Sequence, residues 1–137
     1  MRVFIVDDSA PVLERLAAVV SELAVTIELV GQAQDAPGAA EAIRRLKPDL
    51  VILDLRIPGG GGIHVLREIK QHAPAPIVVI LTNYPYPQYR KQCHEAGADF
   101  FFDKSMDFDK VPALLQQLAR GKSNGNHVSD EPRQCSA

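Results

Sequence analysis

Short, unbroken apolar runs are the feature of this sequence that most constrains its fold. Four of them occupy residues 3–6, 50–53, 77–81 and 100–102. A strand without polar alternation is buried on both faces, which is typical of a parallel sheet covered by helices. Segments with helical apolar spacing separate the runs, so that strand and helix alternate five times. The pattern predicts an α/β fold: a doubly wound, five-stranded parallel sheet with right-handed crossovers and helices on both faces.

Capping residues predict where several helices begin. Ser9 and Asp35 can cap the first and second helices, and the fourth is expected to begin at about Pro87. Asp109 is favoured over Asp107 as the cap of the fifth helix, because Pro112 must fall in its first turn. The second strand, residues 26–33, alternates polar and apolar side chains, which predicts an edge position.

Length and composition suit one domain of ordinary size. The chain has 137 residues and a net charge of −2, which disfavours direct nucleic-acid binding. Its two cysteines form no disulfide framework, and no apolar run reaches membrane-spanning length. We expect a cytoplasmic protein with one domain at residues 1–120. Residues 121–137 are polar and are expected to form a disordered tail.

Reactive residues follow four of the strands. Asp7 and Asp8 follow the first, Asp54 the third and Thr82 the fourth, and Lys104 comes after the fifth. In open parallel sheets, sites form beyond the carboxyl ends of the strands, where the strand order reverses. The sequence therefore predicts that these side chains share one site.

Three neighbouring acids would be costly without a cation, because like charges and burial both raise carboxyl pKa values. Magnesium prefers oxygen ligands and is usually held by one or two carboxylates plus a phosphate. Asp8 and Asp54 are the expected direct ligands, with Asp7 binding directly or through water. Asp54 could then attack a phosphoryl group as a carboxylate nucleophile. Lys104 would neutralise the phosphoryl oxygens and the Thr82 hydroxyl would hydrogen-bond to one of them.

The residue order and the surrounding motifs resemble the receiver domains of bacterial two-component response regulators, in particular single-domain regulators of the chemotaxis type. The motifs are FIVDDS, DLVILDLRIPGGGGI, VVILTN and AGADFFFDKS, in that order, and the resemblance covers roughly residues 1 to 120. It implies the flavodoxin-like strand order 2-1-3-4-5. It also implies a phosphorylation-controlled signalling switch with magnesium as the cofactor, rather than an enzyme acting on a separate substrate.

The resemblance also assigns roles to single residues. It makes Asp54 the phosphoacceptor, adds the backbone carbonyl of Arg56 to the metal ligands, and makes Phe101 the aromatic residue that turns inward on activation. Arg56 and Tyr84 occupy positions that tune the lifetime of the phosphoryl group, and two bulky groups there suggest slow hydrolysis. The core and switch roles of Phe101 both stay open, since Phe100 and Phe102 could supply the packing alone.

The resemblance implies partners of three kinds. They are a sensor histidine kinase or histidine phosphotransfer protein, a downstream protein effector, and a second copy that would pair through the face of helix 4, strand 5 and helix 5. No direct contact with nucleic acid or a membrane is expected. A stand-alone receiver and one domain of a longer regulator are both compatible with the polar tail.

Two residues depart from the pattern of the family. Ser105 follows Lys104 where the family usually has proline, often with a cis bond, and a cis bond to serine would cost about 2.5–4 kcal/mol. Asn83 stands where a small residue is common, and its side chain could narrow access to Asp54. The loop after Lys104 therefore either follows a trans path or carries strain.

Two other functions are weighed against the switch. A pseudo-receiver would bind a partner without phosphate, and Ser105 and Asn83 are the only grounds for it. A haloacid-dehalogenase-type phosphatase also uses Asp, Thr, Lys and magnesium, but it needs Asp-x-Asp after its first strand, where this chain has Asp7-Asp8-Ser9. As single residues, the acids could be helix caps, Lys104 a surface lysine and Thr82 an ordinary strand-end hydroxyl.

Overall fold

A computed structural model describes residues 1–23 and 26–123, in which five strands alternate with five helices. The strands are β1 (Arg2–Val6), β2 (Glu28–Ala33), β3 (Leu50–Leu53), β4 (Ile77–Thr82) and β5 (Phe100–Asp103). The helices are α1 (Ala10–Glu22), α2 (Ala36–Leu46), α3 (Gly62–Lys70), α4 (Pro87–Glu95) and α5 (Lys110–Ser123). The strands form one parallel sheet in the order β2-β1-β3-β4-β5, which confirms the predicted fold.

The register of the sheet aligns the carboxyl ends of its central strands. Val6 pairs with Leu53 of β3, which in turn pairs with Ile80 of β4. At the far edge, Thr82 of β4 pairs with Asp103 of β5. Residues that follow β1, β3 and β5 therefore emerge along the same edge of the sheet.

Alternate side chains of each strand supply two separate cores. Val3 and Ile5 pack with α1 and α5, whereas Phe4 and Val6 pack with α2, α3 and α4. The central strand β3 is buried along its whole length. Both faces of the sheet are thus covered, as the unbroken apolar runs predicted.

Most helix starts agree with the sequence. The Ser9 Oγ accepts the Val12 N–H at 3.4 Å, and the Asp35 Oδ1 accepts the Gly38 N–H at 2.7 Å. Helix α4 begins at Pro87, and α5 begins directly after Asp109. Side-chain caps therefore set the starts of α1 and α2, whereas α4 starts at a proline in its first turn.

Several boundaries differ from the sequence interpretation: β1, β4 and β5 are each one residue longer than the apolar runs, and two other differences are larger. Strand β2 begins at Glu28 rather than at residue 26, although its edge position is confirmed. Helix α5 continues through Ser123 and so includes three residues assigned to the tail. Residues 124–137, the rest of that tail, lie outside the described residues. Within the part of the chain that the structure describes, no helix is long and apolar enough to cross a membrane.

Candidate functional site

Three carboxylates meet beyond the carboxyl ends of β1 and β3. Backbone hydrogen bonds continue the sheet past the strands: the Asp54 N–H donates to the Val6 carbonyl at 3.0 Å, and the Asp7 N–H donates to the Ala33 carbonyl at 3.1 Å. Each of Asp7, Asp8 and Asp54 offers one carboxylate oxygen, and these oxygens lie within 4.8 Å of one another. Asp7 and Asp54 are buried and Asp8 is exposed, so the cluster opens to water on one side.

Lys104 is the cation that faces these acids. Its Nζ lies 2.6 Å from the Asp7 Oδ2 and 3.1 Å from the Asp54 Oδ2, and only 10% of its side chain is exposed. Its backbone N–H donates to the Thr82 carbonyl at 2.8 Å, which keeps the end of β5 attached to β4. The structure thus joins residues that are up to 97 positions apart in the sequence.

The peptide bond after Lys104 is trans. Among the described residues, Ala73–Pro74 is the only cis peptide bond. Ser105 therefore follows a trans path, and the loop avoids the cost of a cis bond to serine that the sequence left open.

Electrostatics in the site are dominated by burial and by these ion pairs. Burial raises the pKa of Asp54, and the neighbouring Asp7 raises it further against the opposing effect of Lys104. Burial alone would lower the pKa of Lys104, but its hydrogen bonds and charge interactions with Asp7 and Asp54 outweigh that effect and raise it. One lysine thus faces three acids, which leaves an excess of negative charge.

The donor set fits a hard divalent cation. Three carboxylate oxygens at this separation are the ligand type that magnesium prefers, and the exposed side of Asp8 leaves room for the water ligands that magnesium retains. The same three acids were the predicted ligands.

Glycines allow the loop after β3 to close against Asp54. A Cβ atom at Gly62 would lie 2.1 Å from the Asp54 carbonyl oxygen, and the Gly62 N–H donates to the Leu55 carbonyl at 2.9 Å. Gly59, Gly60 and Gly61 all have positive φ, a conformation that favours glycine. The glycine run therefore forms a turn in which the backbone closely approaches Asp54.

Arg56 and Tyr84 meet beside the site. The guanidinium of Arg56 lies over the ring of Tyr84, 4.5 Å from its centroid, and joins the loop after β3 to the loop after β4. Thr82 is fully buried, and its Oγ1 accepts the Tyr84 N–H at 3.0 Å. Since that bond uses the hydroxyl as an acceptor, its hydrogen is free to be donated elsewhere.

Phe101 is fully buried in the core that packs against α2, α3 and α4. The guanidinium of Arg90, on α4, lies 4.4 Å from the centroid of the Phe101 ring. The ring is therefore inside the protein in this structure. This position agrees with the core role and with the inward state of the switch role.

Sequence reasoning missed the residues that support Lys104. The carboxylates of Asp103 and Asp107 accept backbone N–H groups on both sides of it. The available signal was Asp103 two residues before Ser105, since aspartate often closes such turns on its own backbone.

A family profile described as the response regulator receiver domain matches residues 3–116. The chain belongs to this family of receiver domains. The strand order, the acids after β1 and β3 and the lysine after β5 agree with the resemblance inferred from the motifs.

Two solved structures illustrate the likeness. The receiver domain of the response regulator NarL from Mycobacterium tuberculosis has a TM-score of 0.78 and 27% identity, covering 88% of this chain and 96% of that one. The response regulator domain of CheB from Thermotoga maritima has a TM-score of 0.77 and 28% identity, covering 90% and 96% of the two chains.

Curated relatives are longer than this chain. The transcriptional regulatory protein YvfU of Bacillus subtilis is 29% identical over 122 residues, which cover 89% of this chain and 60% of YvfU. A protein-glutamate methylesterase/protein-glutamine glutaminase of Alkalilimnicola ehrlichii is 32% identical over 141 aligned residues, 97% of this chain and 36% of that protein. The chain therefore spans about a third to three fifths of these relatives.

Proposed function

We propose that this chain is a phosphorylation-controlled signalling switch in which Asp54 accepts a phosphoryl group from a phosphohistidine. The donor would be a sensor histidine kinase or a histidine phosphotransfer protein. One observation carries the proposal: Asp7, Asp8 and Asp54 converge around a common point, and Lys104 contacts two of them at 2.6 and 3.1 Å. Membership of the receiver domain family supports it.

In the proposed step, an Asp54 carboxylate oxygen attacks phosphorus. The new O–P bond forms as the N–P bond of the phosphohistidine breaks, and the bonding electron pair returns to the imidazole ring. Lys104, already 3.1 Å from Asp54, is placed to neutralise charge on the transferred phosphoryl oxygens. The Thr82 hydroxyl would donate to one of these oxygens.

Asp7, Asp8 and Asp54, together with the Arg56 backbone carbonyl, would hold magnesium. Bound there, the ion would neutralise the surplus of carboxylate charge and of phosphoryl charge. Asp8, as the exposed member of the set, faces the side from which a hydrated cation approaches. The buried Asp7 stays in place through its Oδ1, which accepts the Ser9 N–H at 2.9 Å.

The response to phosphorylation would spread through Thr82 and Phe101 to the face formed by α4, β5 and α5. Phosphorylation adds roughly −1.5 to −2 charges and three strong acceptors. Because exposing a phenylalanine side chain costs about 1.5–3 kcal/mol, the buried rotamer of Phe101 is the favoured one, and the switch is a shift between two populations. The altered face would engage a protein effector or a second copy of the chain.

Alternatives are disfavoured by the same site. A pseudo-receiver has no need for three converging acids and a paired lysine, and a phosphatase of the haloacid type would need a second acid two residues after Asp7, where Ser9 caps α1 instead. We further propose slow self-catalysed hydrolysis of the phosphoryl group and a cytoplasmic location.

The deciding experiment is labelling with acetyl phosphate in the presence of magnesium, followed by intact mass. We expect one phosphoryl adduct in the wild type and none in Asp54→Asn or without magnesium. Asp35→Asn is the matched control, since Asp35 caps α2 on the surface and should leave labelling unchanged. An adduct that persists in Asp54→Asn at the wild-type level would contradict the proposal.

A further inference from the structure

The turn that carries Lys104, residues 103–107, is closed by two carboxylates. The Asp103 N–H donates to the Asp107 Oδ2 at 2.9 Å, and the Asp107 N–H donates back to the Asp103 carbonyl at 2.7 Å. The first and last residues of the turn are thus joined in both directions. Such a reciprocal pair fixes the separation of the two ends of the turn.

The side chain of Asp103 fixes the residue that follows Lys104. Its Oδ1 accepts the Ser105 backbone N–H at 2.9 Å and the Ser105 hydroxyl at 2.8 Å. An aspartate that bonds to the backbone two residues later holds that backbone in a tight turn. Lys104 therefore lies between two backbone N–H groups that are both held by carboxylates.

These hydrogen bonds hold the backbone on both sides of Lys104 in place. Lysine has a flexible four-carbon stem, so its amine is placed reliably only if its backbone is held. Here Lys104 is tied to Thr82 through its own N–H, and its two neighbours are tied to Asp107 and Asp103. The trans peptide bond to Ser105 is compatible with all of these bonds.

Asp107 is suited to this role because it stays ionised. Its slight burial would raise its pKa, but the hydrogen bond from the Asp103 backbone and the pairing with Lys110 outweigh that effect and lower the pKa. An ionised carboxylate makes a stronger acceptor for a backbone N–H than a neutral group does.

We propose that Asp103 and Asp107 are positioning residues for Lys104: they hold the trans turn so that the amine reaches Asp7 and Asp54. The effect on phosphorylation rests on the proposed function. The placement of the Lys104 amine is independent of the proposed function, because the amine contacts carboxylate oxygens of Asp7 and Asp54 without a phosphoryl group.

The test measures magnesium affinity and the initial rate of acetyl phosphate labelling for Asp103→Ala and Asp107→Ala. A misplaced Lys104 competes less with magnesium for the carboxylates, so magnesium affinity should rise a few-fold. Labelling at saturating magnesium should slow by about tenfold, because a positioned positive charge is lost. Asp103→Asn and Asp107→Asn keep an oxygen acceptor and should restore near-wild-type values. Lys91→Ala is the surface control, since Lys91 is exposed on α4 and lies outside the 103–107 turn.

Substitutions at Ser105 test the same turn without touching the acids. Ser105→Pro gives the residue usual in related receiver domains, yet here it removes the N–H that Asp103 accepts, so we expect slower labelling and tighter magnesium binding. Ser105→Ala keeps that N–H and should remain close to wild type.

The opposite movement of the two readouts distinguishes positioning from general damage. Unchanged values in both Ala variants, or a parallel fall in magnesium affinity and labelling, would overturn the proposal, as would a Ser105→Pro rate at or above wild type. If the wild type itself takes no label, the proposed function fails, and the magnesium affinities alone still decide the positioning of Lys104.

Discussion

A partly buried lysine contacts aspartate at the amino edge of the sheet, where the strands begin, and another does so at the carboxyl edge, where they end. The two sites differ in charge balance. At the amino edge, Lys70 Nζ lies 2.8 Å from the Asp99 Oδ2 and 2.7 Å from the Pro76 carbonyl, and the same Asp99 oxygen accepts the Val78 N–H at 2.9 Å. At the carboxyl edge, Lys104 contacts two buried acids and a third lies beside them.

A structural ion pair and a candidate functional site differ in their balance of charge. The Lys70–Asp99 pair joins one cation to one carboxylate. Its hydrogen bonds to the Pro76 carbonyl and the Val78 N–H hold the start of β4 and the loop before it. The three carboxylates around Lys104 carry more negative charge than one lysine neutralises. Their mutual repulsion is relieved only by protonation or by a further cation. This excess is the reason we propose that the carboxyl edge binds a metal.

The largest expected effect concerns one glycine at each edge. Gly62→Ala would place a Cβ atom 2.1 Å from backbone at Asp54, so we expect a loss of about 3 kcal/mol or more in the free energy of unfolding. Gly97→Ala has only ordinary contacts with Lys70 but must adopt φ of 99°, which should cost about 1–2 kcal/mol. Urea denaturation would measure both, and equal losses would contradict the close-packed carboxyl edge.

The two lysines should differ in their response to magnesium. Lys70→Met removes the Lys70–Asp99 ion pair and should lower the free energy of unfolding by about 2–3 kcal/mol, with or without magnesium. Lys104→Met should destabilise the metal-free protein because Asp7 and Asp54 lose their counter-charge, and magnesium should recover most of that loss. At a concentration one hundred times its dissociation constant, magnesium would add about 2.7 kcal/mol to any variant that keeps the three acids, so each loss is taken relative to the wild type at the same magnesium concentration. Lys104→Met recovers in this comparison because it should bind magnesium more tightly than the wild type does. A Lys70→Met loss that magnesium also repairs would remove the distinction between the edges.

Asp54→Asn should stabilise the metal-free protein at pH 7, on the order of 1 kcal/mol. The folded-state pKa of Asp54 is raised, so the fold binds its proton more tightly than the unfolded chain does. Proton binding by Asp54 therefore stabilises the fold fully below the unfolded pKa of about 3.9, and this stabilisation is lost as pH rises through the folded pKa. The gain in Asp54→Asn should therefore shrink as pH falls toward 4. Denaturation of both proteins across this range would show it, and a less stable variant at pH 7 would argue against a charge excess.

The smallest expected effect is on the lifetime of the phosphoryl group. The Arg56–Tyr84 stack joins the loops that follow β3 and β4, and we expect it to shield a phosphoryl group on Asp54 from water. An Arg56→Ala, Tyr84→Ala double substitution should shorten the phosphoryl half-life a few-fold, which corresponds to under about 1 kcal/mol of activation free energy. Loss of label would be followed by intact mass, with Arg67→Ala, at an exposed position of α3, as the control. A longer half-life in the double variant would refute shielding.

Much of the fold was predictable because its signals are local. The unbroken apolar run at 50–53 predicted a strand buried on both faces, the polar Glu28 predicted an edge, and Ser9 and Asp35 predicted helix starts. The end of α5 was less predictable, because Gly121 and its polar neighbours carry no apolar periodicity, yet the helix continues through Ser123.

The sequence by itself determined which chemical groups stand at the strand ends, because strand burial and side-chain alternation follow from short-range apolar patterns. Only the tertiary structure decided how those groups pair: that Lys104 lies between Asp7 and Asp54, that Arg56 stacks on Tyr84, and that Asp103 and Asp107 close a trans turn. These contacts join residues on different loops, and their geometry depends on how the sheet register and the packed helices bring those loops together.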